Sequence, residues 1–401
     1  VAERSVAGRL LDSLRGLVRP PDLQTGEDRS ASRLELFFDL AFVLVVAELA
    51  IELRDDVTVA GALRFAGLFA TVWWAWVSST LYANRFDHDD VLYRLYKLGS
   101  MAAVVGLAAS ASDATGKRFG IFVGCQLLLR LLLLLQYGRA YRHVRDARPV
   151  VRLYLLGAAA GALLWGLSLL VPRPLAFALW AVAVLVEALV PLVATRASAD
   201  VPLHVEHLPE RFALFVILVL GESVAGVAHG LYDAEWSGPS MPVAVLSFVL
   251  AAALWWSYFD LAGARAKRLL NEVGGERSDH SHDVYIFGQL PLTLALATIG
   301  AGIELAVVES GQGEVPTGTR LLLAGGVAVY LISMTVTDTG MARRARSGWW
   351  WPLAAAAVAL LDIALELPAV VVVGALAALM VAVLVVGTIQ RQTGDLAVDE
   401  V

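Results

Sequence analysis

The chain predicts an all-α, polytopic membrane bundle of about twelve transmembrane helices in two parallel six-helix repeats, with both termini in the cytoplasm. Three observations carry this expectation. The 401 residues are 58% hydrophobic and only 17% charged, with a mean hydropathy of +0.68, whereas soluble domains are about a quarter charged. Apolar stretches long enough to cross roughly 30 Å of hydrocarbon recur along the whole chain. Basic residues are distributed unevenly between alternate connections, as the positive-inside rule requires of a bundle with a fixed orientation.

The stretches fall at 34–52, 58–82, 93–112, 118–138, 151–171, 175–195, 211–230, 241–262, 284–307, 319–338, 349–366 and 369–389. After Trp349, Pro368 and a short connection leave a re-entrant hairpin as the alternative to two full crossings. With the termini inside, the inner connections and tails hold 24 lysines and arginines, against five outside: Arg54, Lys117, Arg118, Arg173 and Arg320. A miscounted span in the middle would scramble that asymmetry. The net charge of -6 says less about partners than does this sidedness.

The expected organisation is a segment 1–30, a first repeat 31–195, a linker 196–210, a second repeat 211–390 and a tail 391–401. Val6, Leu10, Leu14 and Leu17 share one helical face, so the first segment is expected to lie as an amphipathic helix on the inner surface. The first apolar run, near Leu34, has no small-residue cleavage site behind it, so the first membrane helix is expected to direct insertion. The repeat is read from S-R-L-E-L-F-F-D-L-A-F at 32–42 and E-R-F-A-L-F-V-I-L-V-L at 210–220, which align Arg33 with Arg211. Each is followed by a tryptophan cluster, T-V-W-W-A-W-V at 71–77 and A-L-W-W-S-Y-F-D at 253–260. An even number of spans per half makes the repeats parallel.

A lone cysteine, Cys125, excludes a disulfide framework or a thiol metal cluster. No Walker, GxGxxG, nucleophile-elbow or HExxH pattern occurs. The histidines, including His204, His207, His280 and His282, form no spaced metal motif, and H-S-H at 280–282 reads as loop. No catalytic residue, metal or cofactor is therefore expected, and nothing points to nucleic acid. The partners expected are membrane lipids, a small ion or small-molecule substrate, and a second copy of the chain.

Charge inside a membrane is costly and calls for a reason. Glu35 and Asp39, four apart, share a face of the first helix beside Arg33, either as a cation or proton site or as an ion-pair network with Arg33, Arg64 or Arg85. Glu48 reads as an outer-rim residue. Glu222, mid-span in L-G-E-S, is the acid hardest to explain otherwise, with Gly221 permitting close approach of another backbone and Ser223 offering a hydroxyl. Glu187 is equally deep but lacks polar neighbours in sequence. In the ninth span Gln289, Pro291, Thr293 and Thr298 interrupt an apolar helix. The ion or substrate path is thus assigned to Arg33, Glu35, Asp39, Arg211, Glu222, Ser223 and Gln289. Asn84, Arg85, Asp87 and Asp260, at inner span ends, suit a cytoplasmic gate. Trp73, Trp74, Trp255 and Trp256 suit either core packing or an aromatic wall.

These residues resemble the bacterial low temperature requirement A proteins. The resemblance rests on E-L-F-F-D-L (Glu35 to Leu40), W-W-A-W with N-R-F-D (Trp73 to Asp87), E-R-F-A-L-F-V-I-L-V-L-G-E-S (Glu210 to Ser223) and W-W-S-Y-F-D (Trp255 to Asp260), in order over most of the chain. In D-V-Y-I-F-G-Q-L-P, Gln289 stands where the family pattern has histidine. Separately, R-L-E-L-F-F-D is similar to the R-x-x-x-F-S-D motif of a potassium-channel family of six-span units or twelve-span doublets, with Phe38 in place of the serine. The family resemblance implies a fold and a topology more than a function; it is the intramembrane carboxylates that point to a transporter or channel of the bacterial inner membrane, binding or relaying a cation or proton. The alternatives are a membrane-embedded enzyme acting on a lipid or small apolar metabolite, and a non-catalytic scaffold or sensor.

Overall fold

The computed structural model describes residues 19–23, 32–87, 90–197, 207–263, 269–270, 276–342 and 350–399. The expected amphipathic segment before residue 19 and the loop histidine His204 lie outside these residues.

Every long apolar stretch becomes a helix. In order they are α1 Arg33–Asp55, α2 Val59–Arg85, α3 Val91–Ala111, α4 Phe119–His143, α5 Arg148–Leu167, α6 Arg173–Ala197, α7 His207–Asp233, α8 Ser240–Trp256, α9 Glu276–Val308, α10 Thr317–Ala342, α11 Trp351–Ala364 and α12 Ala369–Asp399. Ten of the twelve are long and apolar enough to cross a membrane. The other two are α1, dense in carboxylates, and α11, only 14 residues long. His280 and His282, expected in a loop, lie within α9: the helix starts at Glu276, well before the apolar run that marks the span. α8 continues as a π-helical turn, Ser257–Gly263, through the second tryptophan cluster, and α10 contains another, Leu321–Gly325. α9 runs on through Pro291 as one helix, where the Thr293 hydroxyl donates to the Gln289 carbonyl at 2.7 Å.

Local chemistry sets the helix starts. Pro149 and Pro352 sit in the first turns of α5 and α11, where a missing N–H costs nothing. Ser32 and Glu35 form a capping box at α1: the Glu35 N–H donates to the Ser32 hydroxyl at 3.2 Å, and the Ser32 N–H to the Glu35 carboxylate at 2.8 Å. α11 stops at Ala364, and its last carbonyls are taken by the buried Arg320, whose guanidinium donates to the Ile363 carbonyl at 3.0 Å and to the Leu365 carbonyl at 2.5 Å. A cation there also complements the negative end of the helix dipole.

The chain divides into two compact units. The first takes residues up to Val45 and Ala70–Glu210; the second takes Val46–Phe69 and the residues from Arg211 onward. In the first, α3 packs on α4, α4 on α5 and α5 on α6; in the second, α9 packs on α10, α10 on α11 and α8 on α12.

One end of the first unit is tied by a polar clasp. A two-residue strand β1, Asp22–Leu23, pairs antiparallel with β2, Phe86–Asp87. Asp90 caps α3 by accepting from the Tyr93 N–H at 3.1 Å, and both its oxygens receive Arg139, at 3.0 and 2.6 Å. Arg139 also donates to the Arg19 carbonyl. Burial opposes ionisation of Asp90, but Arg139 and the backbone donors outweigh it and hold the carboxyl below its ordinary value of 3.8. A depressed folded-state value means the clasp is at full strength above the unfolded-state value and fails as pH falls through the lower, folded one. Asp90→Ala is expected to cost about 1–2 kcal/mol, the upper part of the range for a lost N-cap. Thermal unfolding of wild type and variant at pH values above and below 3.8 checks this: the gap between them should hold above that value and narrow as the pH falls below it, and a gap that stays constant through the lower range would rule out the ionised clasp.

Candidate functional site

Two polar constellations stand within the helices, one in each unit. In the first, an open cavity is lined from α1 to α6, by residues that include Phe38, Trp74, Ser100, Arg130, Tyr154 and Glu187. Its charged element is a buried ion pair. Arg130 Nε donates to Glu187 Oε1 at 2.7 Å and Nη2 to Oε2 at 3.0 Å, a bidentate fork. Nη1 donates to Gln126 Oε1 at 2.7 Å, and the guanidinium carbon lies 4.9 Å from the Trp165 ring centre, which stacks on Trp180. Gly161 makes room for the carboxylate, since a Cβ there would come within 1.8 Å of Glu187 Oε1.

The sequence leaves Glu187 without polar neighbours, and the structure supplies them from another helix. The missed signal is the pair itself: one cation in the α4 run and one anion in the α6 run, each too costly to bury alone.

In the second unit, Arg54 at the end of α1 pairs with Glu304 of α9, and His229 Nδ1 of α7 lies 3.6 Å from Glu304 Oε2. Glu222, two turns before His229 on α7, interacts electrostatically with Arg54, Glu304 and His229, and accepts no hydrogen bond among the described residues. α7 and α9 touch almost backbone to backbone here. A Cβ on Gly226 would stand 2.7 Å from the Gly300 carbonyl oxygen, and one on Gly300 3.0 Å from Glu222 Cβ. The close approach expected at Gly221 is made instead at Gly226 and Gly230, while Gly221 is exposed with open space around its α-carbon. α7 presents the face three to four residues per turn from Glu222, which includes Gly226 and Gly230 and excludes Gly221.

A smaller cavity of about 350 Å³ in the same unit is bounded by Tyr258, Tyr285, Gln289, Met334, Thr337 and Asp338, among others. Gln289 is buried and accepts from the Tyr258 hydroxyl at 3.3 Å.

The sequence-assigned residues are shared between the two units. Glu35 and Asp39 are both buried, but Glu35 serves the α1 cap and Asp39 accepts from Trp76 Nε1 at 2.8 Å. Arg33 is exposed. Of the arginines weighed as their partners, Arg64 instead holds Glu52 at 3.0 Å and Asp56 at 2.6 Å. Arg85 is buried with its guanidinium 4.9 Å from the Tyr154 ring centre. Arg211 and Ser223 are buried in the second unit. Of the gate residues, Asn84 is buried and Asp87 contributes its backbone to β2 in the first unit, whereas Asp260 is exposed in the second, accepting from Trp256 Nε1. The tryptophans diverge too. Trp73 and Trp74 are core residues, while Trp255 and Trp256 are about half exposed, so core packing holds for the first pair and not for the second. The π-turn that follows Trp256 alters the face the helix presents.

Ten membrane-length apolar helices among the described residues, with ion pairs among them, define a multi-pass helical membrane protein. The family model for the bacterial low temperature requirement A protein (LtrA) matches residues 30–385. The chain belongs to that family. It is also similar to an uncharacterized protein of Rhizobium meliloti (strain 1021), 26% identical over 295 residues that make up 70% of this chain and 71% of the relative.

Proposed function

We propose that this protein carries a proton or small cation through the membrane, with Glu222 and Glu304 as the exchanging groups. The observation that supports this is an excess of carboxylates: Glu304 holds Arg54, while Glu222 on the touching helix has no ion pair or hydrogen bond among the described residues, with His229 at the edge. Such a group, with Asp233 also acting on Glu304, carries net negative charge for a proton or cation to balance, and carboxylates of this kind mark ion and proton routes in membrane proteins. In this reading α1 and α11 also cross, giving twelve spans in two parallel repeats, with both termini on the cytoplasmic side of the bacterial inner membrane. The register that sets Trp73 on Trp255 also sets Leu81, which lines the first cavity, on Gly263, which lines the smaller one.

Proton and alkali-cation flux into proteoliposomes tests the proposal. Glu222→Gln and Glu304→Gln are each expected to slow flux by about two orders of magnitude, the scale of losing a positioned proton-transfer group, and Asp39→Asn, already hydrogen-bonded to Trp76, to change it little. Flux indifferent to both glutamines would remove the pair from the mechanism. Absence of flux under every gradient would favour a membrane-embedded enzyme.

A further inference from the structure

We infer that the turn joining α4 to α5 binds the phosphodiester headgroup of an anionic phospholipid, whose acyl chains lie along the exposed leucines of the same two helices. The site belongs to the first unit and stands whether or not the Glu222–Glu304 pair conducts.

Charge decides the headgroup. R-A-Y-R-H-V-R-D-A-R-P-V-V-R at 139–152 holds five arginines and one acid, Asp146. Arg139 is engaged by Asp90, but Arg142, Arg145, Arg148 and Arg152 are exposed and make no ion pair among the described residues. No acid stands in the first turn of α5, whose N-terminal end adds the positive pole of the helix dipole. Guanidinium groups match phosphate oxygens in geometry as well as charge. Fixing the orientation of a membrane protein needs only that such charge be present; here it is also held in place. Val144 and Ala147 are buried, which leaves Arg145 facing outward. The Arg148 N–H donates to the Arg145 carbonyl at 3.2 Å, and its Nε to the Tyr141 carbonyl at 3.0 Å, with the guanidinium carbon 5.5 Å from the Tyr141 ring centre. Groups ordered before a ligand arrives lose less freedom on binding it.

The apolar surface decides between a lipid and a soluble phosphate. On α5, Leu156 and Leu163, 58% and 63% exposed, continue the face of Arg148 and Arg152 at helical spacing. On α4, the exposed Leu128, Leu131 and Leu135 lead along one face to Arg142. From Arg152 to Leu163 the helix rises about 16 Å at 1.5 Å per residue, the depth of one leaflet of a hydrocarbon core roughly 30 Å thick. A soluble phosphate would use the arginines alone. A phospholipid uses the arginines and the leucines together, and basic clusters at the ends of membrane helices attract anionic lipids.

Native mass spectrometry of the full chain in an uncharged detergent, titrated with phosphatidylglycerol and with phosphatidylcholine of the same acyl chains, tests the assignment. Phosphatidylglycerol is expected to bind at least about tenfold tighter. Arg148→Gln and Arg152→Gln should each weaken it about fivefold, and the double variant about twentyfold, as for loss of one and two surface arginines. Lys117→Gln, exposed before the opposite end of α4, should leave it unchanged. If Arg148→Gln lowers the unfolding temperature by freeing the Tyr141 carbonyl, Arg152→Gln carries the test. Glycerol 3-phosphate in excess should not displace the lipid. Equal affinity for phosphatidylcholine, wild-type affinity in the arginine variants, or an equal loss in Lys117→Gln would each overturn the inference. Displacement by glycerol 3-phosphate would overturn it too, in favour of a site for free anions.

Discussion

Arg130→Met is expected to destabilise the first unit by about 3–5 kcal/mol, the cost of stranding one member of a buried ion pair. Glu187 sits 8% exposed with both oxygens committed to Arg130, in space that the absent side chain of Gly161 leaves for it. Glu187→Gln should be milder than Arg130→Met, because a neutral amide can still accept from the guanidinium. The double variant Arg130→Met, Glu187→Leu should recover most of the loss, since replacing a whole buried pair by apolar groups is often neutral. Thermal unfolding of the purified variants in one detergent measures all three. A double variant no more stable than Arg130→Met would mean that the pair is not what Arg130 contributes, and its packing on Trp165 would be the better account.

Gly226→Val is expected to cost at least about 1–3 kcal/mol, the usual price of overpacking, because the new Cβ meets the Gly300 carbonyl oxygen at 2.7 Å and backbone cannot yield as a side chain can. The same substitution at Gly221, one and a half turns earlier on α7, meets open space and should be neutral or slightly stabilising. Comparing unfolding temperatures of the two variants isolates contact from helix propensity. If the transport reading holds, Gly226→Val should also depress flux, because it separates Glu222 from Glu304. Equal effects at Gly221 and Gly226 would show that α7 and α9 do not meet as described.

Helix positions were legible because they depend on local quantities, namely run length and apolar content. The stretch at 118–138 lies inside Phe119–His143 but for its first residue, and 369–389 opens Ala369–Asp399. The helices overrun the apolar stretches where a polar end stays helical, as α9 does back to Glu276. One local signal was present and passed over: S-R-L-E at Ser32–Glu35 is a capping-box pattern, and it gives Glu35 a role at the start of α1. Candidate-site assignments fared less evenly. Glu222 was recognisable as an anomaly in its own helix, but its companions come from α1, α7 and α9, with Arg54 and Glu304 separated by 250 residues.

What this sequence determines alone is the class of molecule: apolar runs of membrane length, family motifs in order, and the charged residues too expensive to bury without purpose. Which charge answers which was decided only by the tertiary structure. Burial cost is a property of one residue and its immediate segment, and can be read there. Neutralisation is a property of two residues on different helices, set by packing that brings Arg130 to Glu187 and Arg54 to Glu304 while leaving Arg33, beside Glu35 in sequence, exposed.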